Sequence, residues 1–140
     1  MAYHSTNFSL LVPLPDAAAL TYALNLAQQA SRLNQGDEAE PGFPAELQAS
    51  TEDWCFKVEG DVLNGQPRLW LHSNNGGIDA VCAFLQHLLR KFNPAGRVTF
   101  QWSHDCNRPL TDAYGGGAAV ITAQEIKSMS TGQWLRENAA

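Results

Sequence analysis

The order in which two hydrophobic periods follow one another along the chain constrains its fold more than any other feature. Apolar residues that alternate with polar ones predict strands, and apolar residues at three- and four-residue spacing predict helices. The helical pattern is strongest where Ile78, Val81, Leu85, Leu88 and Phe92 recur along one face. In chain order the pattern predicts a strand at 8–12, a helix at 16–33 that Asp16 begins, strands at 54–59 and 68–72, a helix at 78–92, and strands at 98–102 and 117–121. The second and third strands are joined by a turn at 60–67 that includes Asn64-Gly65.

This order predicts the α+β class and a ferredoxin-like βαββαβ plan with an added C-terminal strand and short helix. Right-handed crossovers place both long helices on one face of an antiparallel sheet with strand order 4-1-3-2, the fifth strand beside the fourth. Thr122 with Glu125 matches a capping box and predicts a short helix directly after it. Ser130 with Gln133 repeats this signal before a last helical turn at 134–138. We expect a single domain over 1–140, with a surface loop at 37–50 and a long loop at 103–116.

Composition excludes several classes of protein. The chain has 140 residues, of which 44% are hydrophobic and 16% charged, too apolar for a disordered chain. A net charge of -5 with nine Lys and Arg and no basic stripe argues against nucleic-acid binding. Three widely spaced cysteines indicate free thiols in a reducing compartment. Without a membrane-spanning run or a signal peptide, we expect a cytoplasmic protein that does not enter a membrane.

The predicted plan leaves one sheet face uncovered by helices. An exposed tryptophan usually packs against something, so Trp70 points to binding of a partner or of a second copy of the chain. The alternative is an ordinary solvated sheet face, partly covered by the tail, that has no binding role. By alternation the face would show Ser9, Leu11, Cys55, Lys57, Glu59, Arg68, Trp70, His72, Thr99, Gln101 and Ser103.

The densest chemistry lies where the fourth strand passes into the long loop, at His104, Asp105 and Cys106. A thiolate nucleophile needs a base within reach and an acid that orients it, and His72 on a neighbouring strand could be that base. Adjacent side chains diverge, however, and a lone cysteine at a strand end is usually a small buried hydrophobe. No spacing typical of metal ligands is present, so we predict neither a metal nor a cofactor.

Gly115 to Gly117 could direct backbone N–H groups at an anion, but they precede a strand instead of opening a helix. They are better explained by a strand that starts tightly against a neighbouring backbone or a bulky aromatic side chain such as Tyr114. In the same loop, Arg108 and Asp112 could form an ion pair that orders it.

The C-terminal half carries a pattern of its own. Trp102-x-x-x-Cys106-x-x-Pro109, then Gly115-Gly-Gly-Ala and Thr122-Ala, together with the helix end Phe92-Asn-Pro, resembles a pattern in small bacterial and phage proteins. No activity is established for those proteins, so no residue role is implied by the resemblance. It implies that this half is a shared core and that the N-terminal half varies more.

Two functional hypotheses follow from the sequence. The first is a non-catalytic binding or regulatory module that uses the open sheet face and the 103–116 loop to bind a protein or itself as a homodimer. Its contact residues would be Trp70, Arg68, Gln101, Asp112, Tyr114, Gly115 and Gly116. The alternative is an enzyme or metal-dependent protein centred on Cys106, His104, Asp105 and His72. RNA binding on the open face fits poorly, because the surface is acidic.

Overall fold

We analysed a computed structural model of the chain, which describes residues 4–108 and 114–139. Six strands form one antiparallel sheet in the order β2-β3-β1-β4-β5-β6. The strands are β1 (His4–Pro13), β2 (Lys57–Leu63), β3 (Gln66–Ser73), β4 (Arg97–Cys106), β5 (Gly115–Thr122) and β6 (Ile126–Ser130). The helices are α1 (Ala17–Asn34), α2 (Ala45–Gln48), α3 (Ile78–Phe92) and α4 (Thr131–Asn138).

The α+β class and the antiparallel sheet are confirmed. The neighbours β2-β3-β1-β4-β5 follow the order expected for the first five strands, and an unpredicted sixth strand extends the sheet beyond β5. With six strands the sheet is larger than the four-stranded ferredoxin-like plan. β1 lies at the centre, where it pairs with β3 over Phe8–Pro13 and with β4 over His4–Asn7.

The core lies between the sheet and the two long helices. Asp16 begins α1 by accepting a hydrogen bond from the Ala19 backbone N–H (2.8 Å), as the sequence predicts. α3 buries its apolar stripe, and Phe84 at its centre is fully buried against the ring of Trp54 (centroids 5.2 Å apart). Because α1 and α3 both contribute to one continuous buried cluster with the inner side chains of the sheet, they share one face of it.

The predicted surface loop at 37–50 is only partly a loop. It ends in α2 and a 3₁₀ turn (Ala49–Asp53), and Leu47 of α2 is fully buried. Trp54 and Phe56 are also buried, but they precede β2, which begins at Lys57. Their alternation reflects insertion into the core beside the helices and not a strand. The Asn64-Gly65 turn is present, with positive φ at both residues (53° and 79°).

Two further expectations in the C-terminal half are wrong. Of the residues predicted as a long loop at 103–116, residues 103–106 lie in β4 and residues 115–116 lie in β5. No helix begins directly after Thr122, because the next element is β6. The Thr122 hydroxyl oxygen does accept hydrogen bonds from Gln124 and Glu125 N–H, but it closes a turn that leads into β6. The second capping signal is confirmed, since Ser130 Oγ accepts from Gln133 N–H (3.2 Å) and begins α4.

Candidate functional site

The sheet face opposite α1 and α3, which we call the open face, carries an apolar patch. Leu11 (49% exposed), Trp70 (37%), Val120 (37%) and Met129 (45%) project from it on four different strands. None of the helices α1, α2 and α3 covers these side chains. An antiparallel sheet with one solvated face normally alternates apolar-in and polar-out, so four accessible apolar side chains on the outer face depart from that pattern.

Trp70 is held in one orientation on this face. Its Nε1–H donates to Ser9 Oγ on the neighbouring strand (2.8 Å), and its ring stacks on His72 with centroids 3.9 Å apart. His72 Nε2 lies 2.6 Å from Glu59 Oε2, which fixes the second ring of the stack. Leu11 lies directly opposite Trp70 in the β1–β3 ladder. The indole therefore presents a preorganised apolar surface beside Leu11, so that little side-chain entropy would be lost on binding.

Charged side chains surround the apolar patch on its β2 side. Arg68 pairs with Asp61 across the β2–β3 hairpin, and Lys57 lies opposite His72. The Nε atom of Arg68 is buried without a hydrogen-bond partner in the part of the chain that the structure describes. Gln101, the binding candidate on β4, is exposed and lies opposite Ala118 on the same face. The rim thus contains both acids and bases.

The structure does not bring Cys106, His104, Asp105 and His72 together. Strand alternation places His72 and Asp105 on the open face, and His104 and Cys106 on the other. His104 Nδ1 is bonded to Thr6 Oγ1 (2.8 Å), and Asp105 accepts from Asn7 Nδ2 (3.2 Å). The described residues hold no cluster of three or more His, Cys, Asp or Glu suited to a metal ion.

The remaining binding candidates lie around the start of β5. The Tyr114 hydroxyl is within hydrogen-bond distance of the carbonyl oxygens of Cys106 (3.0 Å) and Arg108 (3.1 Å). Gly115 adopts a φ of 120°, and Gly116 N–H donates to Thr131 Oγ1 (2.9 Å) at the start of α4. Asp112, and with it the proposed ion pair to Arg108, lies outside the described residues. Tyr114 and Gly116 at this end of β5 are thus hydrogen-bonded to neighbouring segments.

Close approach of neighbouring atoms explains the glycines at positions 116 and 117, as the sequence predicts. The aromatic residue involved is Trp102 and not Tyr114. A Cβ atom at Gly116 would overlap the Trp102 carbonyl oxygen. A Cβ atom at Gly117 would overlap the Trp102 ring and lie 2.5 Å from the Met129 carbonyl oxygen. Glycine at both positions therefore lets β5 pack between Trp102 and β6.

Sequence reasoning missed a hydrogen-bonded chain that joins three helices. The Tyr22 hydroxyl of α1 lies 2.7 Å from His87 Nε2 of α3, and His87 Nδ1 lies 2.9 Å from Glu46 Oε1 of α2. An ionised carboxylate only accepts, so Nδ1 carries a proton, and in the neutral imidazole Nε2 accepts from the Tyr22 hydroxyl. The residues are 65 and 41 positions apart in sequence, and no local pattern marks their contact.

The pKa shifts of Tyr22 and Glu46 indicate that the hydrogen bonds from Tyr22 through His87 to Glu46 have a structural role. Burial, with a smaller contribution from the Glu46 carboxylate, raises the pKa of the Tyr22 hydroxyl. A hydrogen bond from its own backbone N–H, followed by one from His87, lowers the pKa of Glu46. A nucleophilic tyrosine would need the opposite shift, towards the phenolate. Tyr22 therefore stays protonated and donates to His87, which links α1, α2 and α3.

Comparison with protein-family models, with curated proteins and with solved structures finds no match for this chain. No helix in the described ranges has the length and apolarity needed to cross a membrane.

Proposed function

We propose that this protein is a non-catalytic, cytoplasmic binding module whose open face associates with a second copy of the same chain. The observation that carries the proposal is the set of four apolar side chains, 37–49% exposed, on the sheet face opposite α1 and α3. Burying apolar surface is the dominant favourable contribution to most protein association. We further propose that the fold is an extended variant of the ferredoxin-like plan, and that the C-terminal half belongs with the small bacterial and phage proteins it resembles.

The size of the face suits a dimer. From β2 to β6 it spans five inter-strand steps, or about 24 Å, and an eight-residue strand is about 26 Å long. The flat area is thus roughly 600 Å², on the order of the about 800 Å² per partner that a standard interface buries. Two sheets that pack face to face would interdigitate such side chains as in a β-sandwich.

The charges of the rim favour a second copy over a strongly charged partner. Glu59 and Asp61 alternate with Lys57 and Arg68 on the β2–β3 hairpin. A two-fold axis that passes through the apolar patch places the same surface on both sides, so acids of one copy can face bases of the other. A partner of one charge sign would meet a like charge at about half of these positions, which opposes its binding.

A concentration series in analytical ultracentrifugation tests the proposal. We expect a monomer–dimer equilibrium in the wild type and a shift to monomer in Leu11→Lys, which places a charge at the apolar centre. Trp70→Ala should weaken the dimer through loss of the anchoring ring. Val62→Lys is the matched control, because Val62 is 62% exposed and, by alternation along β2, projects from the opposite face.

Three outcomes would contradict the proposal. One is a wild-type chain that remains monomeric at every concentration. Another is a dimer that Val62→Lys disrupts as much as Leu11→Lys does, because the interface would then lie elsewhere. The third is a Trp70→Ala variant that dimerises as tightly as the wild type, because the proposed anchoring ring would then make no contact.

A further inference from the structure

An apolar pocket lies on a different part of the molecule, where β1 and β4 part. The ladder between these strands joins His4–Asn7 to Ser103–Cys106, yet β1 continues to Pro13 and β4 begins at Arg97. The unladdered ends and the last turns of α3 enclose about 390 Å³. That volume lies within the range of about 300–1,000 Å³ typical of small-molecule sites.

The wall of the pocket is mostly aliphatic, with Phe92 as an aromatic member. Leu85, Leu88 and Leu89 of α3 form one side, and Val12 and Leu14 form another, all of them buried. The pyrrolidine rings of Pro13 and Pro15 fix the φ angles on either side of Leu14. A pocket lined in this way favours a flexible hydrocarbon chain, since it offers contact along its length and few hydrogen bonds.

The polar groups of the lining are few, and none of them is acidic. They are Gln66, Asn93 and Arg97. The Gln66 amide N–H already donates to the Leu14 carbonyl oxygen, whereas Arg97 is exposed at the rim with no ion pair among the described residues. Arg90 and Lys91 in the last turn of α3 do not line the pocket, because Arg90 Nε donates to the Ala123 carbonyl oxygen and Lys91 Nζ lies over the Tyr22 ring. The carboxylate of Asp16 accepts from the Ala19 N–H at the start of α1.

The unpaired Arg97 guanidinium at the mouth of an apolar pocket favours a ligand that is both apolar and anionic. Guanidinium groups bind carboxylates through two parallel hydrogen bonds. We propose that this pocket binds a medium-chain alkyl carboxylate, with the hydrocarbon chain against Leu85 and Leu88 and the carboxylate on Arg97. The lining includes none of the four exposed apolar side chains of the open face, so this proposal does not depend on association through them.

Isothermal titration with decanoate, below its micelle concentration, tests the proposal. We expect saturable binding with one ligand per chain. Octanoate should bind about 15-fold more weakly, since two methylenes fewer are buried. Decanol and decylammonium, which keep the chain but lack the carboxylate, should bind at least about tenfold more weakly than decanoate.

Variants separate the two parts of the site. Arg97→Ala should weaken decanoate about tenfold or more and leave decanol unchanged. Val98→Phe, which fills the pocket from β4, should abolish binding of both, and its thermal unfolding curve shows whether the variant is folded. Arg136→Ala is the matched control, because Arg136 lies on α4 beyond β6 and does not line the pocket.

Several results would overturn the proposal. They are absence of saturable decanoate binding to the wild type, equal affinity for decanoate and decanol, and decanoate binding that Arg97→Ala leaves unchanged. Binding that persists in a folded Val98→Phe variant would place the ligand outside this pocket. Because ultracentrifugation reports on the open face and titration on the pocket, failure of one proposal is distinguishable from failure of the other.

Discussion

Replacing Gly117 with alanine tests whether close packing of β5 determines stability at this edge of the sheet. The added methyl group would overlap the Trp102 ring and lie 2.5 Å from the Met129 carbonyl oxygen. The φ of Gly117 is not positive, so alanine is allowed by the backbone and the cost is steric. Trp102 is half-buried and packs on Phe100 with centroids 5.6 Å apart, which limits how far the ring can move.

The magnitude follows from two opposing contributions. Overpacking costs about 1–3 kcal/mol, whereas alanine in a strand recovers about 0.5–1 kcal/mol of the conformational entropy that glycine loses. We therefore expect Gly117→Ala to lower the free energy of unfolding by about 1–2 kcal/mol. Urea denaturation followed by circular dichroism measures it.

Gly132→Ala provides a control of opposite sign. Gly132 lies in the first turn of α4, where the nearest atom to an added Cβ is Arg136 Nη1 at 3.5 Å. Helix propensity should make this variant neutral or more stable by up to about 1 kcal/mol. Equal effects of the two substitutions, or a Gly117→Ala variant as stable as the wild type, would refute the packing argument.

Three further predictions concern the helix side of the molecule. Tyr22→Phe should cost about 1–2 kcal/mol in urea denaturation, because His87 Nε2 loses its half-buried donor; no loss would show that the bond contributes nothing. The pKa of Glu46 lies below its ordinary value of 4.5 in the folded chain, so its stabilisation is present above that pH and is lost as the pH falls through the folded pKa. The stability difference between wild type and Glu46→Gln should therefore shrink on acidification, and a difference independent of pH would contradict this. Burial raises the pKa of the Cys82 thiol to about 11, so a thiol reagent at neutral pH should modify Cys82 at least about tenfold more slowly than Cys106 until urea unfolds the chain; equal rates in the native state would count against it.

Local patterns predicted the elements whose sequence and environment agree. The α3 stripe, the Asp16 cap and the Asn64-Gly65 turn each depend on residues within one element or turn. The capping signal at Thr122 failed because a threonine hydroxyl accepts N–H groups in a turn just as it does in a helix. The residues after the turn form β6 and pair with β5, and this tertiary contact favours the turn over a helix.

The candidate sites also divide into those that local sequence patterns predict and those that depend on tertiary packing. Alternation alone predicted that Trp70 and its neighbours project from the open face. Separating His72 from Cys106 needs more than alternation. These residues are seen to fall on opposite faces only when the register of β3 and β4 with β1 is known. The bond between Tyr22 and His87 and the pocket beside Arg97 arise from how helices pack on the sheet. Neither has a spacing in the sequence that would reveal it.

The central position of β1 has a consequence for how the chain folds. β2–β3 is a local hairpin and β4–β5–β6 a local meander, and a hairpin forms in about 1–10 μs. β1 joins these two units, and its contact with β4 spans 98 residues, as between Thr6 and His104. Loop closure over such a distance is paid for before the contact stabilises anything, so we expect docking of β1 to set the folding rate. During synthesis the N-terminal strand, although made first, must wait for β4 to emerge before the sheet can close around it.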